Sequence, residues 1–173
     1  MTEKKFMNSL ANGQVDILEQ FLDLLNDMGI DYCLIGGLAV NAYCEPVVSL
    51  DVDLIVTADA IDKLSKTVEK MFTIEKSIHS LNLKSPHSDL RIQLQTDPHY
   101  QTFISNANTK KVMGYEMKVA SLEDVLQGKI WAYSDEQRRK SKRQKDLADI
   151  FRLVEIYPHL KDFLPESIKN TGI

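Results

Sequence analysis

Two aspartates inside an apolar strand constrain this chain more than any other feature. Residues Tyr32 to Val56 read YCLIGGLAVNAYCEPVVSLDVDLIV. Tyr32 to Ile35 is a short apolar run that ends in Gly36-Gly37. A helix-like stretch from Leu38 to Tyr43 follows, and Pro46 helps to end it. Leu50 to Val56 is a second apolar run, and it carries Asp51 and Asp53. Aspartate is depleted in strands, so two of them beside Leu54, Ile55 and Val56 need a reason. Strand residues two apart point to one side, so both carboxylates share a face while Leu50, Val52 and Leu54 take the other. A bare D-x-D is also found as two solvated acids on an edge strand. The double glycine upstream changes the balance, because glycines that open a helix let backbone N–H groups come close to a phosphate. Magnesium prefers oxygen ligands and keeps several waters, so one or two carboxylates plus substrate phosphates are enough to hold it. Strand, double glycine, helix and acid-bearing strand together point to a site that holds a nucleoside triphosphate through Mg2+.

The rest of the chain supplies a frame for such a site. Val15 to Met28 has apolar residues at helical spacing, with Asn12 or Gly13 as its start and Gly29 as its end. Thr57 is expected to cap a helix running to about Met71, and Phe72 to Ile78 reads as a strand. Leu90 to Gln95 alternates, with Leu90, Ile92 and Leu94 on one face and Arg91, Gln93 and Gln95 on the other. The polar stretch SLNLKSPHSD just before it reads as a loop over the cleft. Lys111 to Met113 and Met117 to Val119 suggest a hairpin around Gly114. Ser121 with Asp124 three residues on resembles a capping box for a helix through Tyr133. Ser134 with Gln137 would cap a second helix, with Leu147, Ile150, Phe151 and Val154 as its apolar face, ended by Pro158 and followed by a last helix from His159 to Lys169. The expected fold class is α+β: a small mixed β-sheet with flanking helices and a helical C-terminal part. Residues 1–120 form the core, and 121–173 pack on it as part of one compact unit.

Composition excludes several classes. A net charge of −4 over 173 residues argues against a general nucleic-acid-coating protein. Cys33 and Cys44 sit in or beside apolar runs and read as buried thiols rather than a disulfide or metal pair. The four histidines show no ligand spacing for zinc. No G-x-S-x-G elbow is present. The N-terminal segment lacks a signal-peptide core, no apolar run could span a bilayer, and the expected address is cytoplasmic with no membrane partner.

The order GG, short helix, then S-x-D-x-D in a strand resembles the nucleotidyltransferase superfamily, related in fold to DNA polymerase beta. It is most similar to the bacterial minimal nucleotidyltransferases and the AbiEii-type toxin nucleotidyltransferases. VASLEDVLQGKIWAY followed by RQKDLADIFRLVE resembles their helical half, where a lysine sits on one helix and a K-D-x-x-D phrase begins the next. The resemblance spans Tyr32 to Glu155. It implies that Gly36 and Gly37 approach the triphosphate and that Ser49 hydrogen-bonds a phosphate oxygen. Asp51 and Asp53 would hold the metal, Lys129 would reach a phosphate as a point charge, and Asp146 would sit near the same cleft as a later acidic group. Without the resemblance, Lys129 reads as a solvated helix lysine, and Asp146 as an acid paired along its helix with Arg143 or Lys142.

Two departures stand out. Relatives often carry a third aspartate on a neighbouring strand, and the corresponding residue here is Gln93, which cannot act as a general base near neutral pH. Relatives also often place an arginine two residues before the serine, where this chain has Val47. Catalysis with two carboxylates, recruitment of Asp146, and nucleotide binding without turnover all fit these changes. The implied activity is transfer of an NMP from an NTP to an acceptor with Mg2+ as cofactor. The acceptor is left open among an RNA end, a protein hydroxyl and a small molecule. The alternative is an inactive or weakly active nucleotide-binding module working with an antitoxin or regulatory partner. The basic run Arg138, Arg139, Lys140, Lys142, Arg143 and Lys145 reads either as an RNA-facing edge or as a solvated helix face. Trp131 and Tyr133 read as core or cleft-wall residues.

Overall fold

The computed structural model of the chain describes residues 1–173. Seven strands form one mixed sheet in the order β3-β4-β5-β2-β1-β7-β6. They are β1 (Tyr32–Ile35), β2 (Asp51–Val56), β3 (Thr73–Lys76), β4 (Ser80–Ser85), β5 (Ser88–Gln95), β6 (Asn108–Val112) and β7 (Tyr115–Val119). The helices are α1 (Glu3–Leu10), α2 (Ile17–Asp27), α3 (Gly36–Val40), α4 (Ile61–Val68), α5 (Leu122–Ser134), α6 (Lys140–Ile156) and α7 (Glu166–Lys169). The fold is therefore α+β, as the pattern of runs predicts.

The acid-bearing strand lies at the centre of this sheet, not at its edge. β2 runs antiparallel to β1 and parallel to β5, so Ile35, Asp53 and Gln93 are direct neighbours across three strands. Val52, Leu54, Ile55 and Val56 are fully buried. That burial fixes the register, because a one-residue slip would turn the carboxylates into the core. The same core takes Leu18, Phe21 and Leu25 from α2 and Val125, Ile150, Leu153 and Val154 from α5 and α6. No helix is long and apolar enough to cross a membrane.

Several boundaries follow from local chemistry that the runs only partly revealed. α2 starts at Ile17, not after Asn12 or Gly13, because Asp16 caps it by accepting the Glu19 N–H at 3.0 Å. Gly29, at φ +62°, ends it. The glycine pair is not a separate turn before a helix but the first turn of α3. Thr57 makes no capping bond, and a 3₁₀ turn over Ala58–Ala60 precedes the shorter α4. Ser134 closes α5 rather than capping α6, whose start at Lys140 follows the Asp135 turn. The last helix is divided into a 3₁₀ turn, Pro158–Phe163, and α7.

The expected loop SLNLKSPHSD is instead the hairpin of β4 and β5. Leu81 and Leu83 alternate inward and are buried, and Pro86-His87 makes the turn, so the polar residues face outward rather than over the cleft. The β6–β7 hairpin turns on Met113 and Gly114, both at positive φ. Ser121 caps α5 by accepting the Asp124 N–H at 3.2 Å.

Asp16 also accepts the Tyr115 hydroxyl at 2.9 Å, tying α2 to β7. Asp16→Ala removes a cap and a part-buried hydrogen bond, about 1–3 kcal/mol together. Thermal unfolding should show a midpoint lowered by roughly 3–10 °C; an unchanged midpoint would mean that the cap carries no stability.

Candidate active site

The end of β1, the start of β2 and the matching residues of β5 face the α5–α6 hairpin across a cleft. Its central part is a cavity of about 180 Å3 bounded by Gly36, Asp51, Asp53, Gln93, Lys129 and Asp146, with Tyr100 at one side. A second cavity of about 270 Å3 shares both carboxylates and continues past Gly37, Ser49 and Val47 to Lys142, Lys145 and Arg152. A third, of about 340 Å3, continues the other way past Tyr100 to Trp131, His99, Asp97 and Asp135. The tertiary fold thus gathers Gly36, Gly37, Ser49, Asp51, Asp53, Lys129 and Asp146 around one trough.

Gly36 makes the pocket for Asp53. Its φ is +74°, and a Cβ built there would meet Asp53 Oδ2 at 2.5 Å. Both the backbone conformation and the missing methyl are required, so no other residue fits without moving the carboxylate. Gly37 is less demanding, since a Cβ there would lie 3.7 Å from Asp149 Oδ2. Ser49 accepts the Asp51 N–H through its hydroxyl at 3.2 Å, which shapes the entry to β2.

The two aspartates have opposite electrostatics. Burial pushes the Asp53 carboxyl up, and the neighbouring Asp51 charge adds to this, so its pKa rises to about 6 despite Lys129, Lys142 and Arg138. Burial also pushes Asp51 up, but Arg91 and Lys142 outweigh it and hold this carboxyl below its ordinary value. Arg91 Nε donates to Asp51 Oδ1 at 2.6 Å, and Lys142 Nζ lies 3.6 Å from Oδ2. A carboxylate pair in which one member resists ionisation because of the other fits a divalent cation, whose charge relieves both burial and repulsion. Asp51 and Asp53 are the residues that could hold one.

Lys129 is not a solvated lysine. It is 7% exposed, and its ammonium lies 3.0 Å from Asp146 Oδ1 and 2.8 Å from Asp149 Oδ2. Burial pulls its pKa down, but Asp149 and Asp146 together outweigh this and raise it. Asp146, 1% exposed, accepts Arg138 Nε at 2.7 Å through its other oxygen. It therefore pairs across helices and not with Arg143 or Lys142. Gln93 lies opposite Asp53 in the β2–β5 register, at the position the alternation indicates for a third acid.

Sequence reasoning missed Arg91, Lys142 and Arg138 as partners of the site acids. Register supplies Arg91, which pairs with Asp51 across β2 and β5. Helix packing supplies the other two. Asp149 is the second acid of the K-D-x-x-D phrase, and that phrase was its signal. The basic run divides. Arg138 and Lys142 turn to the site, and Arg143 donates to the Tyr133 carbonyl at 2.6 Å with its guanidinium 5.3 Å from the Tyr133 ring centroid. Arg139, Lys140 and Lys145 remain exposed. Trp131 stacks on Phe103, with ring centroids 5.7 Å apart, and forms a cleft wall.

Asp53 yields a pH test. Its folded pKa is raised, so the native state holds more protons than the unfolded state between about pH 4 and 6. Stability therefore falls as pH rises through that window and levels off above it. Asp53→Asn should raise the unfolding midpoint at pH 8, by on the order of 1–3 kcal/mol, and leave it nearly unchanged at pH 4. An equal effect at both pH values would refute the buried, raised carboxyl. Gly36→Ala should cost about 2 kcal/mol or more through positive φ and the clash, measured by denaturant titration.

No protein-family model matches the chain, and no curated protein matches its sequence. Solved structures do match its fold. The lincosamide antibiotic adenylyltransferase LnuA, lincomycin-bound, aligns over 82% of this chain and 99% of its own, at 15% identity and a TM-score of 0.57. ANT(2'')-Ia in complex with adenylyl-2''-tobramycin aligns over 90% and 92%, at 16% identity and 0.60. An antigenic nucleotidyltransferase-like protein from Paracoccidioides brasiliensis aligns over 86% and 75%, at 21% identity and 0.52. The sheet, its flanking helices and the position of the cleft are thus those of the nucleotidyltransferase fold.

Proposed function

We propose that the chain transfers a nucleoside monophosphate from an NTP to an acceptor hydroxyl. The observation that carries this reading is the Asp51–Asp53 pair against Gly36, on the floor of a cleft whose one flank is rich in cations. A magnesium ion on the two aspartates would neutralise phosphate oxygens and polarise the α-phosphorus. Gly36, Gly37 and Ser49 border the phosphate path, and Lys142, Lys145 and Arg138 give it positive charge. Lys129 lies beneath with Asp146 and Asp149, and this triad orients the cationic wall. The acceptor oxygen bonds to the α-phosphorus as the bond to the bridging oxygen of the β-phosphate breaks. Pyrophosphate leaves with that electron pair, and the acceptor proton passes to solvent or a carboxylate, since Gln93 cannot take it.

The opposite flank suits the acceptor. Tyr100, Trp131 and His99 offer ring faces there, Asp97 and Asp135 offer negative charge, and Arg138 is already paired with Asp146. This lining favours a small uncharged or cationic acceptor over an RNA end, whose phosphates would meet acids. A toxin-type role with an antitoxin partner rests only on the phrases shared with that group.

The test is incubation with labelled NTPs, Mg2+ and a panel of hydroxyl acceptors. Asp51→Asn and Asp53→Asn should each cut transfer by roughly 100-fold or more. Labelling equal to wild type in both variants would exclude the enzyme reading, and NTP binding without transfer in any combination would leave a binding module.

A further inference from the structure

We propose that this site takes a single divalent ion and that the Lys142 ammonium supplies the second positive charge that a two-ion site would provide. The inference rests on the nucleotide-transfer reading and adds a property of this chain's own residues. A second ion beside the first, about 3.5–4 Å away, needs a third anionic ligand. The residue opposite Asp53 in the strand register is Gln93, a neutral amide. No three acidic, histidine or cysteine side chains are grouped to hold an ion. Asp146 cannot be lent to the task, because its two oxygens hold Lys129 and Arg138.

The outer acid, Asp51, already faces cations built into the fold. Arg91 approaches one oxygen from β5, and Lys142 approaches the other from α6. Only Lys142 also borders both the central cavity and the cation-rich one. It stands where phosphate oxygens would pass between them. An ammonium on a flexible stem can contact a carboxylate and a phosphate in turn, as a point charge with three donors. With one divalent ion it leaves Asp51 compensated on both sides, whereas a second divalent ion would have to displace the lysine.

The experiment uses the full chain, Mn2+ and the non-hydrolysable analogue AMPCPP, with native mass spectrometry to count ions and electron paramagnetic resonance to detect a spin-coupled manganese pair. Wild type should bind one AMPCPP with one Mn2+ and show no coupled pair. Gln93→Asp should gain a second ion and the coupled signal. Lys142→Gln, at a part-exposed position that leaves folding intact, should keep one ion and weaken AMPCPP binding about tenfold, the loss of one charge-assisted contact. A coupled pair in wild type, or wild-type affinity in Lys142→Gln, overturns the inference while leaving nucleotide transfer standing. Failure of wild type to bind AMPCPP with Mn2+ overturns both.

Discussion

The space left by the missing side chain at Gly36 is the constraint on which the site depends. A carboxylate in the middle of a sheet would ordinarily be excluded by its own desolvation cost. Asp53 is tolerated because the chain turns at positive φ beside it and offers no Cβ. The cost is not removed but kept as a raised pKa, which makes the position receptive to positive charge. Fold and chemistry therefore meet at one dihedral angle: the residue that turns β1 into α3 also makes room for the acid of β2.

A second constraint joins the helical half to the first. Lys129 of α5 is held by Asp146 and Asp149 of α6, and Arg138 and Arg152 complete the group. Buried ion pairs of this kind add little net stability, since desolvation consumes most of the attraction. Removing one partner is costly, because it strands a buried charge. Such a network specifies geometry more than it adds energy, fixing the height and rotation of α6 over the sheet. Arg152 extends it to Asn41 and the Glu45 carbonyl, and Asn41 in turn holds Val47 through both its backbone groups. The segment that carries Ser49 is thereby tied to the same helix.

Much of the architecture was legible from period and punctuation alone. Alternation gave β2 and β5 and put Asp51 with Asp53 on one face. Ser121 and Asp124 gave the start of α5, and Gly114 gave the last hairpin. The errors share a cause. SLNLKSPHSD looked like a loop because its polar residues outnumber Leu81 and Leu83, yet two inward leucines suffice once β5 offers a partner. Ser134 and Thr57 have capping chemistry without capping geometry, because the backbone entering α6 and α4 takes other turns.

Local order along the chain was enough to name the glycine pair, the two aspartates, the serine, the lysine and the acidic phrase, since each is a short-range pattern with its own chemical reason. Their surroundings depended on which residues fold beside them. Arg91 meets Asp51 through strand register, Lys142 meets it through the placing of a helix 90 residues later, and Lys129 loses its solvent to two acids on α6. Pairings of this kind are non-local, and charges acquire their partners and their pKa values only when distant segments share a low-dielectric space.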